Sequence, residues 1–182
     1  MGVIETERLF LRPLTLEDSS EIAAKIDNYE ISKNLARVPF PYHLSDAEEF
    51  LDWALALDSR SAFRAIVLKS NPQHIAGIIS YDWMEDKQKA ELGYWLVPEL
   101  WGKGIMTEAA KAMVELAFTH SHLDSLGSCF FNENPASGRV LAHAGFQVIG
   151  MCSQFSKARG AEVRVTTVQL SRNDWLNKKA AV

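Results

Sequence analysis

Residues 90–131 constrain the fold more than any other stretch of the chain. An apolar run at 90–96 ends at Pro98, a turn carrying Gly102 and Gly104 follows, and residues 105–120 then repeat apolar side chains at helical spacing. Ile105, Ala109, Met113, Leu116 and Ala117 fall on one face of that helix. A second apolar run at 125–131 comes next. Two strands joined through a helix cannot form a hairpin; the crossover requires them to lie parallel.

The residues before this unit read as an antiparallel meander. Leu9, Phe10, Leu11 and Arg12 suggest a short strand stopped by Pro13, and Thr15-Leu16-Glu17-Asp18 opens a helix with Ile22, Ala23 and Ile26 on one face. Pro39-Phe40-Pro41-Tyr42 breaks the chain. Ser45-Asp46-Ala47-Glu48 has the form of a capping box, for a helix carrying Phe50, Trp53, Ala54 and Leu57, with Trp53 expected in the core. Strands are predicted at 63–68, 74–83 and 90–96, with a turn at Ser70-Asn71-Pro72 and a polar segment, Glu85-Asp86-Lys87-Gln88-Lys89. After the crossover, a short helix from Ala136 ends at Gly145, and strands at 146–151 and 163–170 close the sheet. The sum is an α/β (mixed α+β) architecture. It has about six or seven strands, mostly antiparallel with one parallel pair, flanked by helices. A length of 182 residues fits one domain, 1–182.

Composition excludes several functions. The formal net charge of -4 disfavours nonspecific nucleic-acid binding, which needs clustered Lys and Arg to displace counterions. No apolar run reaches the roughly 18 residues that span a bilayer, so no membrane partner is expected. Cys129 and Cys152 lack metal-ligand spacing and read as free thiols, with the cytoplasm as the expected compartment. His120 and His122 have no partner ligands in sequence, and no metal is expected.

The glycine turn is where chemistry enters. The first turn of a helix has unpaired N–H groups and a partial positive charge, and glycines let an anion approach the backbone closely. Lys-Ser or Lys-Thr after a four-residue spacer is absent, so this is not a Walker loop. Thr107 stands where a dinucleotide fingerprint needs a small residue, and the turn follows a meander rather than a first parallel strand.

Glu91-Leu92-Gly93-Tyr94-Trp95-Leu96-Val97-Pro98 running into Trp101-Gly102-Lys103-Gly104-Ile105-Met106-Thr107-Glu108-Ala109 resembles the core of the GNAT superfamily of N-acetyltransferases. Asn132-Glu133-Asn134-Pro135-Ala136-Ser137, followed by Gly145-Phe146, is similar to that superfamily's second signature. The opening Thr6-Glu7-Arg8-Leu9-Phe10-Leu11-Arg12-Pro13 resembles its RimJ/RimL branch, which acetylates N-termini of ribosomal proteins. These stretches stand in the superfamily's order across nearly the whole chain.

The resemblance implies a twisted sheet with one splayed parallel pair, and acetyl-coenzyme A as acetyl donor. The pantetheine arm would run along Leu96 and Val97, whose N–H groups could also polarise the thioester carbonyl. The pyrophosphate would take the backbone of Gly102, Lys103, Gly104, Ile105, Met106 and Thr107, with Asn134 and Ser137 contacting the arm from the other side. Glu91 matches the superfamily's base, against the plainer reading of a Glu paired with Lys87 or Lys89. Phe40, Tyr42 and Trp83 are the candidate acceptor-site residues. Two positions depart from the pattern: Glu99 replaces a common Gln or Arg, and Leu141 replaces the usual general-acid Tyr. The acceptor implied is a protein N-terminal amine, with a small amine (polyamine, amino acid or aminoglycoside) as the alternative and a noncatalytic acyl-coenzyme A sensor as the competing class. The chain is expected as a monomer or a homodimer.

Overall fold

The structure is a computed structural model, and it describes residues 2–58, 60–84 and 88–180. Glu85, Asp86 and Lys87 of the polar segment lie outside the described residues. Eight strands form one sheet in the order β1-β2-β3-β4-β5-β6-β8-β7. They are β1 Ile4–Glu5, β2 Leu9–Pro13, β3 Ala62–Leu68, β4 Asn71–Trp83, β5 Lys89–Leu96, β6 Ser125–Phe131, β7 Gln147–Ser156 and β8 Ala161–Ser171. The mixed architecture is as the sequence predicts, with more strands than six or seven. The additional strand is β1, two residues paired to β2, too short to show a period. All neighbouring strands are antiparallel except β5 and β6.

Among the described residues, six α-helices cover the sheet: α1 Ser19–Ile26, α2 Tyr29–Ser32, α3 Leu44–Ala56, α4 Ile105–His120, α5 Pro135–Ala144 and α6 Arg172–Ala180. Ile22, Ala23 and Ile26 of α1 and Ala47, Leu51 and Ala54 of α3 pack on one face, against Ala65, Val67, Ile75, Ile78 and Trp95. The opposite face is larger and holds α4, whose Ile105, Ala109, Met113, Leu116 and Ala117 are all buried with Leu9, Leu11, Ile66, Ile79, Leu92 and Leu126.

Two local expectations are corrected. Helix α3 starts two residues earlier than Ser45-Asp46-Ala47-Glu48 suggests: Asp46 accepts from the His43 N–H at 2.7 Å, so the capping box is His43–Asp46. That phase turns Ala47, Leu51 and Ala54 inward and leaves Trp53 42% exposed rather than in the core, its ring edge-on to Phe63. Helix α6 has no buried residue of its own and docks by stacking Trp175 on Phe118.

Candidate active site

The parallel pair holds for only three positions: Lys89 opposite Ser125, Ala90 opposite Leu126 and Glu91 opposite Gly127. Beyond them β5 stays with β4 as far as Leu96, while β6 stays with β8 as far as Phe131, so a gap opens between the two strands. Side chains bridge it. The Ser128 hydroxyl donates to the Leu92 carbonyl at 2.8 Å at the fork, and further out the Tyr94 hydroxyl reaches the Ser137 Oγ at 2.9 Å. Burial pushes the Tyr94 phenol up, so it stays protonated.

The backbone of β5 decides what the gap meets. Val97 N–H donates to the Ala76 carbonyl at 2.9 Å, which makes 97 and 76 a hydrogen-bonded pair. Antiparallel pairs alternate, so the N–H and C=O groups of Leu96 and Tyr94 point away from β4 and into the gap. The Leu96 carbonyl is taken by the Trp101 indole N–H at 2.8 Å, which leaves its N–H facing outward. Val97 spends both groups internally, since its carbonyl accepts from Leu100 N–H at 3.1 Å. Of the two residues expected to polarise a carbonyl, Leu96 alone has its N–H turned to the gap. Gly77 permits this geometry, because a Cβ there would stand 2.2 Å from the Trp95 carbonyl oxygen.

The loop after β5 ends in an open helix terminus. Gly102 and Gly104 have φ of 73° and 75°, conformations that L side chains rarely adopt. Gly104 is the N-cap of α4 and supplies no side chain to cap it. The first helical bond runs from Glu108 N–H to the Gly104 carbonyl at 3.0 Å, so the N–H groups of Ile105, Met106 and Thr107 have no partner within the helix. A clamp holds the loop from outside. Glu108 accepts from the Thr6 hydroxyl at 2.5 Å, the Arg8 N–H at 2.8 Å and the Arg8 Nε at 2.7 Å, while Arg8 Nη1 donates to the Lys103 carbonyl at 2.8 Å. Burial opposes the charge on Glu108, but these hydrogen bonds outweigh it and hold the carboxyl below its ordinary range. Glu99 is exposed on the short 3-10 turn before the loop.

Across the gap, α5 begins at Asn134, whose side-chain oxygen accepts from the Ser137 N–H at 3.2 Å. Its amide nitrogen is the part left for a ligand. Leu141, at the position of the usual general acid, is fully buried in the core.

The forked parallel pair offers outward backbone groups to an extended ligand, and the open start of α4 beside it offers N–H groups to an anion. The chain matches the family model described as Acetyltransferase (GNAT) domain over residues 8–147. It belongs to the GNAT acetyltransferase family. This makes it an acetyl-coenzyme A-dependent N-acetyltransferase. An uncharacterized N-acetyltransferase of Bacillus subtilis (strain 168), YoaA, is 26% identical over 87% of this chain and 90% of its own length. The fold is similar to that of the ribosomal-protein-S5-alanine acetyltransferase from Vibrio fischeri, with a TM-score of 0.80 at 23% identity, covering 96% of this chain and 99% of that one. It is also similar to spermidine N-acetyltransferase from Vibrio cholerae, solved with CoA and spermine, with a TM-score of 0.77 at 19% identity over 94% and 99% of the two chains. These two enzymes are named for acceptors of different kinds, so the shared fold does not select the acceptor.

The face bearing α1 and α3 carries the expected base, Glu91. Strand alternation puts Glu91 and Asp82 there, opposite each other. The Glu91 carboxylate is about one-third exposed, with an Arg37 guanidinium nitrogen at 3.3 Å. Cys129 lies close by on β6, its Sγ 3.4 Å from Gln154 Oε1; burial, with the Glu91 charge adding, pushes its thiol up to about 11. Phe40 is exposed and its ring meets that of Tyr29 at 5.3 Å. Tyr42 is buried beneath α3, its N–H donating to Asp27 at 2.9 Å, and burial, helped by Asp46 and Glu49, pushes its hydroxyl up to about 12. Trp83 pairs with Ala90 and so projects from the opposite face to Glu91, under the Arg60 guanidinium. It does not share a face with Glu91.

No group of three metal-type ligands occurs among the described residues, and no helix among them is long and apolar enough to cross a membrane. Arg8, Arg37 and Trp101 are the site residues that sequence reasoning missed. The glutamate four positions past Gly104 and the Thr6-Glu7-Arg8 opening were the available signal for the first, although 100 residues separate Arg8 from Glu108.

Proposed function

We propose that this acetyltransferase acts on a protein N-terminal α-amine, with Glu91 as base. The observation that carries the reading is the position of Glu91: it is the last paired residue before β5 and β6 part, on the face away from α4 and α5. Its carboxylate therefore stands beside the point where the gap begins, and it already holds one cation, Arg37. An amine arriving as ammonium would replace that cation. Glu91 would then take the proton, directly or through water, and free the lone pair for attack on the thioester carbonyl. The Leu96 N–H is oriented to stabilise the negative charge that develops on the carbonyl oxygen. Backbone N–H groups from Gly102 to Thr107 would hold the pyrophosphate, and the Asn134 amide and Ser137 would meet the pantetheine arm.

The protein acceptor is favoured by the Thr6 to Pro13 opening, which resembles the RimJ/RimL branch, and Phe40 offers an exposed aromatic surface at the acceptor side. Turnover of acetyl-coenzyme A against a panel of peptides with free N-termini, and in parallel against polyamines, amino acids and aminoglycosides, tests the assignment. Peptide turnover is expected; turnover of small amines alone would move the acceptor to that class. Glu91→Gln should lower kcat about 100-fold and leave acetyl-coenzyme A binding unchanged. Absence of turnover in the wild type across both panels, with the donor still bound, would favour a sensor instead.

A further inference from the structure

Thr6 and Arg8, near the N-terminus, touch the α4 loop and the first turn of α4. Arg8 binds both ends of one helical turn: Nη1 to the Lys103 carbonyl, and Nε and its own N–H to the Glu108 carboxylate. Its remaining nitrogen, Nη2, lies 3.4 Å from where a Cβ on Gly104 would stand. We infer that Arg8 is a positioning residue for donor binding: by holding the Lys103 carbonyl it orients the Gly104 N–H towards the pyrophosphate.

One peptide plane sets this orientation. The Lys103–Gly104 bond is trans, so its C=O and N–H point to opposite sides. With the carbonyl turned towards Arg8, the Gly104 N–H must point away from Arg8, the direction left for a ligand of the open turn. Glycines on both sides of Lys103 would otherwise let this plane rotate at little cost. Glu108 fixes the guanidinium that fixes the carbonyl, and Thr6 fixes Glu108.

This inference rests on the loop reading above, and one experiment separates the two. Amide spectra of 15N-labelled protein, titrated with acetyl-coenzyme A to saturation, report Gly104 and Leu96 independently. In the wild type both amides should shift, Gly104 through the phosphates and Leu96 through the thioester arm. In Arg8→Ala the dissociation constant should rise about tenfold. At saturation the Gly104 shift should be lost while that of Leu96 persists. Arg8→Lys keeps the charge but cannot donate to Lys103 and Glu108 as a planar fork, and it should resemble Arg8→Ala. An unchanged dissociation constant would overturn the inference, as would joint loss of both shifts or full rescue by lysine. If Arg8→Ala does not fold, Arg8→Lys and Glu108→Gln carry the same readout. A wild-type Gly104 amide that ignores the donor would instead refute the loop reading itself.

Discussion

Helices α4 and α5 both begin at the gap between β5 and β6, yet their first turns are finished in opposite ways. Asn134 turns a side chain inward and caps α5 at the Ser137 N–H. Gly104 gives α4 no such cap, and the bracing comes from outside, through Arg8 and Glu108. An N-cap side chain and a ligand compete for the same N–H groups. The difference leaves the positive end of α4 open to an anion, as the proposed pyrophosphate site requires, while α5 is closed and offers a ligand only the far end of its cap.

The contrast can be broken most sharply at Gly104. A β-branched residue cannot take φ of 75° without strain, and a Cβ there meets Arg8. Gly104→Val should weaken acetyl-coenzyme A binding about 100-fold by calorimetry, the loss of one or two charge-assisted hydrogen bonds. A change below threefold would mean that the open turn is not where the phosphates bind.

The external brace has a pH signature. The Glu108 carboxyl is lowered in the folded chain, so it contributes stability above the unfolded carboxylate range, near pH 4.3, and loses it as pH falls through the folded value. Glu108→Gln should lower Tm by about 4 °C at pH 7, with the difference from wild type shrinking towards pH 3. A pH-independent difference would show that the carboxylate charge is not what braces the loop.

The internal cap should give the smallest effects. Asn134→Ala removes about 1 kcal/mol and should lower Tm by about 3 °C. Asn134→Asp keeps an oxygen for the cap but loses the amide donor. It should keep the wild-type Tm and raise the acetyl-coenzyme A dissociation constant about fivefold. Equal binding by Asn134→Asp and wild type would remove Asn134 from the donor site.

The same two helices explain which parts of the molecule were legible in sequence. Helix α4 was readable along its length because glycines mark its start and buried residues recur on one face, and from it followed the parallel pairing of β6. The conformation of the loop was readable because it depends on positive φ at Gly102 and Gly104, where glycine is favoured. The surroundings of Glu91 are the reverse case. Arg37 reaches Glu91 across 54 residues of chain, and Gln154 reaches Cys129 from β7, contacts that no local pattern encodes. Trp83 and Glu91 illustrate the limit: each sits on a strand, but only the register Asp82–Glu91 and Trp83–Ala90 assigns them to opposite faces. The direction of the Val97 N–H was illegible for a related reason, since which of two adjacent N–H groups faces the gap depends on hydrogen-bond phase, not on residue type.

The most direct test is a crystal structure of the chain with coenzyme A. The pyrophosphate should lie within hydrogen-bonding distance of N–H groups between Gly102 and Thr107, with the pantetheine arm against Tyr94 and Leu96 and the thiol ending near Glu91. A pyrophosphate bound at the α5 terminus, or an arm that leaves the gap between β5 and β6 empty, would contradict the account.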